Sequence, residues 1–348
     1  MSDFAQTGLI TTLQRLNDWH LEPLESELFE LRRSIALVLP CHASELERPA
    51  LGNIISELAG ANWLEKVVVS MNGPDEVSRT RAESLFSCLP QPVRVLWQAD
   101  RKGGVGSNAT GKGQNVAAAI RLMGDEVEII ATQDCDVVSF RRRDLARLCY
   151  AVARPELGFQ FAKAYYSRAT DRLYGRVTRL FLNPLLHACV RVAGHQPLLS
   201  FLLSFRYPLA GEIAMKRELA CQLPIAPGWS LELATLCEVF RHLDPAEVCQ
   251  VDGGGGYDHK HQPAAAVVTG MAGEIAAELF RQLEREFAGG PAFRAHVATA
   301  YVKEAEQAVR RSAGLAGMNA LPFDQGAERE LIAAFATRLQ QVASSDGS

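Results

Sequence analysis

Residues 129–137 read Ile-Ile-Ala-Thr-Gln-Asp-Cys-Asp-Val, an apolar run that stops at two carboxylates one residue apart. Such a run marks a strand buried on both faces of a parallel sheet. It delivers Asp134 and Asp136 to the rim, where open α/β sheets bind their ligands. Carboxylates spaced i, i+2 past a strand end can turn inward together and share a divalent cation. Mg²⁺ and Mn²⁺ take one or two carboxylates plus the phosphate oxygens of a substrate. The same residues also suit a solvated turn, so the rest of the chain has to decide.

From residue 35 onward, strand patterns at 35–40, 66–70, 93–97 and before Asp134 alternate with helix patterns at 46–59, 76–86 and 114–123. This alternation predicts an α/β, Rossmann-like, mostly parallel sheet wound on both faces. Further helices are expected at 144–153, 177–192 and 231–242, with strands at 158–166, 205–209 and 247–251. From 264 the texture is helical, at 264–287, 291–313 and 325–342. Residues 7–31 carry apolar positions near helical spacing, interrupted at Pro23, and read as two short helices. The expected organisation is an N-terminal helical segment (1–33), an α/β domain (34–265) and a helical C-terminal extension (266–348). The apolar stripes of that extension need a partner surface, either the domain itself or a second subunit, and a homodimer is expected.

A composition of 48% apolar and 22% charged residues is that of a globular protein. The net charge of −4 supplies no basic field for nucleic acid, and the longest Lys/Arg run is Arg141 to Arg143. The eight cysteines are scattered singly with no C-x-x-C pair, which indicates reduced thiols and a cytoplasmic protein. The N-terminus lacks the basic and apolar regions of a signal peptide. The greasy stretch 196–205 is about half the roughly 20 residues that a membrane span needs. It reads as core, without stable membrane insertion.

Three other stretches carry chemistry. The glycine-rich loop 100–114 can bring backbone N–H groups and the Lys112 ammonium to an anion, helped by the N-terminus of the following helix. Gly106-x₄-Gly111-Lys112 matches the first part of a P-loop, but Gly113 stands where Ser or Thr would hold Mg²⁺. Gly104-Val105-Gly106-x-x-Ala109 mimics a dinucleotide fingerprint, away from its usual place after the first strand. The run 251–263 places His259 and His261 after four glycines, and a neutral imidazole is a competent third ligand for Mn²⁺. Ala226-Pro227-Gly228-Trp229-Ser230-Leu231-Glu232 sets an aromatic face and a carboxylate at a helix start, suited to a sugar and its hydroxyls. Gly175-Arg176-Val177-Thr178 offers a guanidinium and a hydroxyl for a phosphate or carboxylate. Each segment also has an ordinary structural reading as a surface loop or helix entrance.

The order of these motifs resembles a GT-A nucleotide-sugar glycosyltransferase, and more narrowly the glucosyl-3-phosphoglycerate synthases and their mannosyl relatives. The resemblance rests on Pro40, Gly111-Lys112-Gly113, Asp134-Cys135-Asp136, the run 161–168, Gly175 to Thr178 with Asn183-Pro184-Leu185-Leu186, Pro208-Leu209-Ala210-Gly211-Glu212, 226–232 and His259-x₃-Pro263. It spans roughly 34–265. It implies a retaining, metal-dependent transfer of a glucosyl or mannosyl group from a nucleotide-diphospho-sugar such as UDP-glucose to a small acidic acceptor, 3-phosphoglycerate first. The cofactor implied is Mg²⁺ or Mn²⁺, held by Asp136 and His259.

By the same resemblance Glu232 and Asp136 are the catalytic candidates. Pro40, Glu45, Ser70, Lys112, Asp134, Cys135, Gly175 and Tyr257 are implied to surround the nucleotide sugar, and Arg176, Thr178, Gly211, Trp229 and His261 the acceptor. The chain departs from the family at three places. The family's Asn-Glu pair is replaced by the 40–45 run, Tyr257 stands for an arginine near the pyrophosphate, and His261 stands for an asparagine at the acceptor. The sequence alone leaves open a different acceptor, sugar nucleotidyl transfer, and nucleotide-sugar binding without catalysis.

Overall fold

The computed structural model describes residues 6, 8–17, 21–72, 75–97, 112–258, 265–287 and 289–345. Among these residues eight strands form one sheet: β1 (Thr11–Leu13), β2 (Ile35–His42), β3 (Lys66–Asn72), β4 (Val93–Leu96), β5 (Ile129–Thr132), β6 (Phe161–Tyr165), β7 (Ile213–Lys216) and β8 (Val248–Asp252). Their spatial order is β1-β8-β6-β7-β5-β2-β3-β4. All neighbours pair in parallel except β7, which runs antiparallel to both β5 and β6.

The unbroken apolar character of β2 follows from burial on both faces. Ile35, Leu37 and Leu39 belong to one core, and Ala36 and Val38 to the other. Successive side chains alternate across a strand, so both parities must be apolar when helices cover both sides. The first core is roofed by α1 (Leu21–Glu30), α2 (Pro49–Leu58), α3 (Glu76–Phe86) and α5 (Arg142–Ala153). The second is covered by α4 (Lys112–Arg121), α6 (Asn183–Ala193), α7 (Pro197–Ser204), α8 (Arg217–Gln222) and α9 (Leu231–His242). The C-terminal helices α10 (Ala265–Glu286), α11 (Pro291–Met318) and α12 (Gln325–Ser344) bury their stripes in that same second core. Phe335 of α12 and Tyr301 of α11 meet Phe181 at ring separations of 5.1 and 5.6 Å, and the Tyr301 hydroxyl donates to the Leu180 carbonyl. The domain itself is therefore the partner surface for these stripes.

Two expectations are corrected. Among the described residues of 7–31, Thr11–Leu13 adds a parallel edge strand to β8 where a helix was expected, and only Leu21–Glu30 is helical. Pairing with Cys249, Gln250 and Val251 outweighs local helical spacing over so short a stretch. Residues 205–209 are not a strand either. Phe205 ends α7, whose 197–204 span is the buried core segment expected at 196–205, and the strand begins only at Ile213. Pro208 has no N–H to give a ladder. Because β7 is reversed, the residues just before it lie at the same rim as those just after β5, in the register Thr132↔Ile213.

Candidate active site

The rim gathers side chains from three distant parts of the chain. Lys112 opens α4, Asp134 follows β5, and Glu232 lies in the first turn of α9, where a carboxylate is favoured by the helix dipole. Lys112 Nζ donates to Asp134 Oδ2 at 2.9 Å and to Glu232 Oε1 at 2.8 Å. Burial alone would lower the lysine pKa. The adjacent Asp134 and Glu232 charges and their hydrogen bonds reverse that effect and hold it well above the usual lysine value. The ammonium is thus a fixed positive charge between two carboxylates.

Two glycines allow this closeness. A Cβ on Gly113 would lie 2.0 Å from the Ala226 carbonyl oxygen, so α4 can reach the 226–232 segment only with glycine there. That explains why Ser or Thr of a P-loop is missing: the position serves packing. A Cβ on Gly211 would lie 2.4 Å from Lys112 Nζ and 2.7 Å from Asp134 Oδ2. The Gly211 carbonyl is fixed by Thr132 Oγ1 at 2.6 Å.

Asp136 lies in the turn beyond β5 and is half-buried. Arg168, which shares a hydrogen bond with Tyr207, stands within electrostatic reach of it. Val138 N donates to the Asp258 carbonyl at 2.8 Å, and Asp258 N donates to Ser139 Oγ at 3.0 Å. The residue preceding His259 is thereby tied two and three positions past Asp136. His259 and His261 themselves, and the loop 98–111, lie outside the described residues. Among the described residues no group of three His, Cys, Asp or Glu side chains could hold a metal ion. An Asp-x-Asp rim is nonetheless the hard-oxygen donor set that Mg²⁺ and Mn²⁺ complete with substrate phosphates.

Beside this rim opens a cleft of about 800 Å³. Arg168, Arg172, Gly175, Arg176, Thr178 and Tyr207 line it together with Val268 and Met271 of α10 and Phe323 of the segment between α11 and α12. Trp229 is 44% exposed just ahead of Glu232, its backbone N–H held by Glu274 Oε2 at 3.0 Å.

Other expected residues sit differently. Pro40 and Ser70 face each other across β2 and β3, but the Ser70 side chain is fully buried. Glu45 is buried in a 3₁₀ turn (Ala43–Glu47), where it pairs with Arg48 at 3.5 Å. The Cys135 thiol turns into the core against Cys41, and that hydrogen bond together with burial pushes its pKa up. Tyr257 is 6% exposed, stacked on Tyr166 with ring centroids 3.8 Å apart and accepting a hydrogen bond from Gln133 Nε2 at 2.9 Å. Tyr166 donates to Glu212 Oε2 at 2.8 Å. Burial and the Glu212 charge push both phenols well above the usual tyrosine range, so they remain protonated. Sequence reasoning quoted Gln133, Lys163, Tyr166, Arg168 and Glu212 only as parts of longer motifs, gave none of them a role in the site, and passed over Tyr207. The signal available was polar groups inside otherwise apolar strand sequences.

A doubly wound sheet with one reversed strand, an Asp-x-Asp at its rim and a lysine and glutamate converging there define a GT-A nucleotide-sugar glycosyltransferase. No model of a known protein family matches the sequence. The glucosyl-3-phosphoglycerate synthase of Persephonella marina is 37% identical over 361 aligned positions, covering 98% of this chain and 90% of that protein. The one from Methanococcoides burtonii is 33% identical over 250 positions, covering 68% of this chain and 61% of that protein. A crystal structure of the Mycobacterium tuberculosis enzyme with Mn²⁺, UDP-glucose and phosphoglyceric acid matches with a TM-score of 0.62 at 25% identity, over 81% of this chain and 90% of that one. Its complex with Mg²⁺ and UDP gives the same TM-score and identity, over 81% and 89%. The chain belongs to the glucosyl-3-phosphoglycerate synthase family. The nucleotidyltransferase alternative, which needs a glycine-rich loop directly after the first long strand, is met instead by Pro40-Cys41-His42 and the Ala43–Glu47 turn.

Alanine at position 211 tests the rim geometry. The atoms it would meet are the ends of flexible side chains, so the fold is expected to survive while the Lys112 bridge is displaced. Gly211→Ala should lower turnover of a nucleotide sugar about 10²-fold, the cost of an ångström-scale misplacement, with an unchanged melting temperature. Wild-type turnover in this variant would refute the arrangement.

Proposed function

We propose that this protein transfers the glucosyl group of UDP-glucose, with retention of configuration, to the hydroxyl of 3-phosphoglycerate in a reaction that needs Mg²⁺ or Mn²⁺. The observation that carries the reading is the Lys112 bridge between Asp134 and Glu232, set beside an arginine-lined cleft. Breaking a sugar–phosphate bond builds negative charge on the departing diphosphate, and preorganised positive groups are worth most where that charge develops. Lys112 is the chain's own group for it. Asp136 and His259 would hold the cation, which when bound supplies Lewis-acid stabilisation of the diphosphate. The Asp258 backbone contacts to Val138 and Ser139 support that pairing.

Arg176 and Thr178 would grip the acceptor phosphate, Arg168 and Arg172 adding positive charge to the same cleft. Glu232 would orient the sugar and the acceptor hydroxyl, with Trp229 exposed beside it. Asp134, Pro40 and the Cys135 backbone would border the nucleotide. The departures at 40–45 and His261 fall on the base and acceptor ends, Tyr257 replaces an arginine near the pyrophosphate, and Lys112, Asp134, Asp136 and Glu232 are retained. Tyr257 acts through packing on Tyr166 rather than by touching the pyrophosphate.

Asp136→Ala should lose several kcal/mol of charge stabilisation, about 10³-fold in turnover. Protein stripped with EDTA should be inactive in forming glucosyl-3-phosphoglycerate and regain its rate with Mn²⁺ or Mg²⁺. A stripped protein that keeps its full rate would end the metal assignment.

We further propose a homodimer in the cytoplasm. Unpaired cysteines support the compartment, and the exposed Leu315 and Met318 near the end of α11 support a contact surface. Among the described residues no helix is long and apolar enough to cross a membrane. Sedimentation velocity should show a two-subunit species at micromolar concentration, and a lone monomer would withdraw the dimer.

A further inference from the structure

Lys163 occupies the middle of β6, paired with Ile213 on one side and Gln250 on the other, and is 1% exposed. An ammonium buried at the centre of a sheet is expensive unless its surroundings compensate it. Among the described residues no carboxylate makes a direct ion pair with it. Its hydrogen bond goes to the carbonyl of Ala210. The next peptide carbonyl, of Gly211, is taken by Thr132 Oγ1. The two-residue segment that abuts Lys112 and Asp134 is therefore gripped from beneath at both carbonyls.

Lys163 also reaches the wall of a small cavity of about 30 Å³ directly behind the rim, shared with Lys112, Thr132, Gly211, Glu232 and Thr235. The charged groups facing it come from every neighbouring element: Glu232 on α9, Glu212 ahead of β7, Lys112 on α4 and Asp134 after β5. Three carboxylates and one other cation surround it. A purely structural hydrogen bond to a carbonyl needs no charge, and apolar replacement of a buried charge is often neutral or stabilising for folding.

We infer that Lys163 is a positioning residue for the transfer: it holds the Ala210–Gly211 backbone against Lys112 and Asp134 and places a buried positive charge behind Glu232. What it positions rests on the glucosyl-transfer reading given above. Burial lowers its pKa to about 8, against the opposing pull of Glu232 and Glu212. The group is charged below that pH and neutral above it. The wild-type rate should therefore fall as the pH rises through about 8.

The test compares wild type, Lys163→Met and Lys163→Arg between about pH 6 and about pH 10, a range of roughly two units either side of a pKa of about 8. Glucosyl transfer to 3-phosphoglycerate, release of UDP, melting temperature and calorimetric UDP affinity with Mn²⁺ are measured on each. Lys163→Met should melt no lower than wild type and bind UDP as tightly, while kcat falls about 10²-fold and the alkaline decline disappears. Lys163→Arg, which stays charged, should recover part of kcat at the alkaline end. A Lys163→Met protein with wild-type kcat, or one that is slower but keeps the decline near pH 8, would overturn the inference. Failure of the acceptor reading looks different: the wild type would release UDP from UDP-glucose without glucosylating 3-phosphoglycerate, and the same comparison on UDP release would still decide Lys163. A wild type that releases no UDP overturns both.

Discussion

One ammonium group organises the rim. Lys112 reaches two carboxylates that arrive from positions 134 and 232, and without it those charges would sit together in a partly desolvated corner. Pairing in such a setting is a matter of placement more than of net stability, because desolvation offsets much of the Coulomb attraction. The bridge draws the starts of α4 and α9 to the end of β5, and the sequence makes room for it with glycine at 113 and 211. It leaves a fixed positive charge at the rim, flanked by the carboxylates of Asp134 and Glu232.

Topology supplies the rest of the site. A wholly parallel sheet would place the 208–212 segment at the far end of the molecule. The reversal of β7 turns it back to the rim, where Thr132 and Lys163 fasten it. Behind it, Glu212, Gln133, Tyr166 and Tyr257 form a buried hydrogen-bonded polar cluster. The C-terminal helices complete the cleft from the other side. Their docking on Phe181 makes them part of the same core as the sheet rather than an appendage.

Much of this was legible from residue patterns. Strands buried on both faces announce themselves as unbroken apolar runs, so β2, β3, β5, β6 and β8 were found within a few residues, and the motif residues Lys112, Asp134 and Glu232 do meet in the structure. The three-residue β1 was not, because it owes its conformation to pairing with β8 and its own spacing imitates a helix. β7 was missed because only four residues long and hidden behind Pro208, it carries little signal of its own. Side-chain direction was the least visible property. Ser70, Glu45, Cys135 and Tyr257 lie in the stretches expected near the nucleotide, yet their side chains point inward. Strand parity and a buried partner set that direction, and neither can be read from a motif. Lys163 stood within the quoted 161–168 run, but a lone lysine in an apolar strand does not show whether the sheet closes over it.

The claim on which the account rests is that Lys112 and Glu232 work as one unit. A double-mutant cycle on kcat/KM for UDP-glucose, using Lys112→Met, Glu232→Gln and the combined variant, measures that directly. The account predicts a coupling above about 0.5 kcal/mol and up to about 3 kcal/mol, the range found for residues in direct contact within one network. Losses that simply add, to within about 0.5 kcal/mol, would show two independent side chains and contradict it.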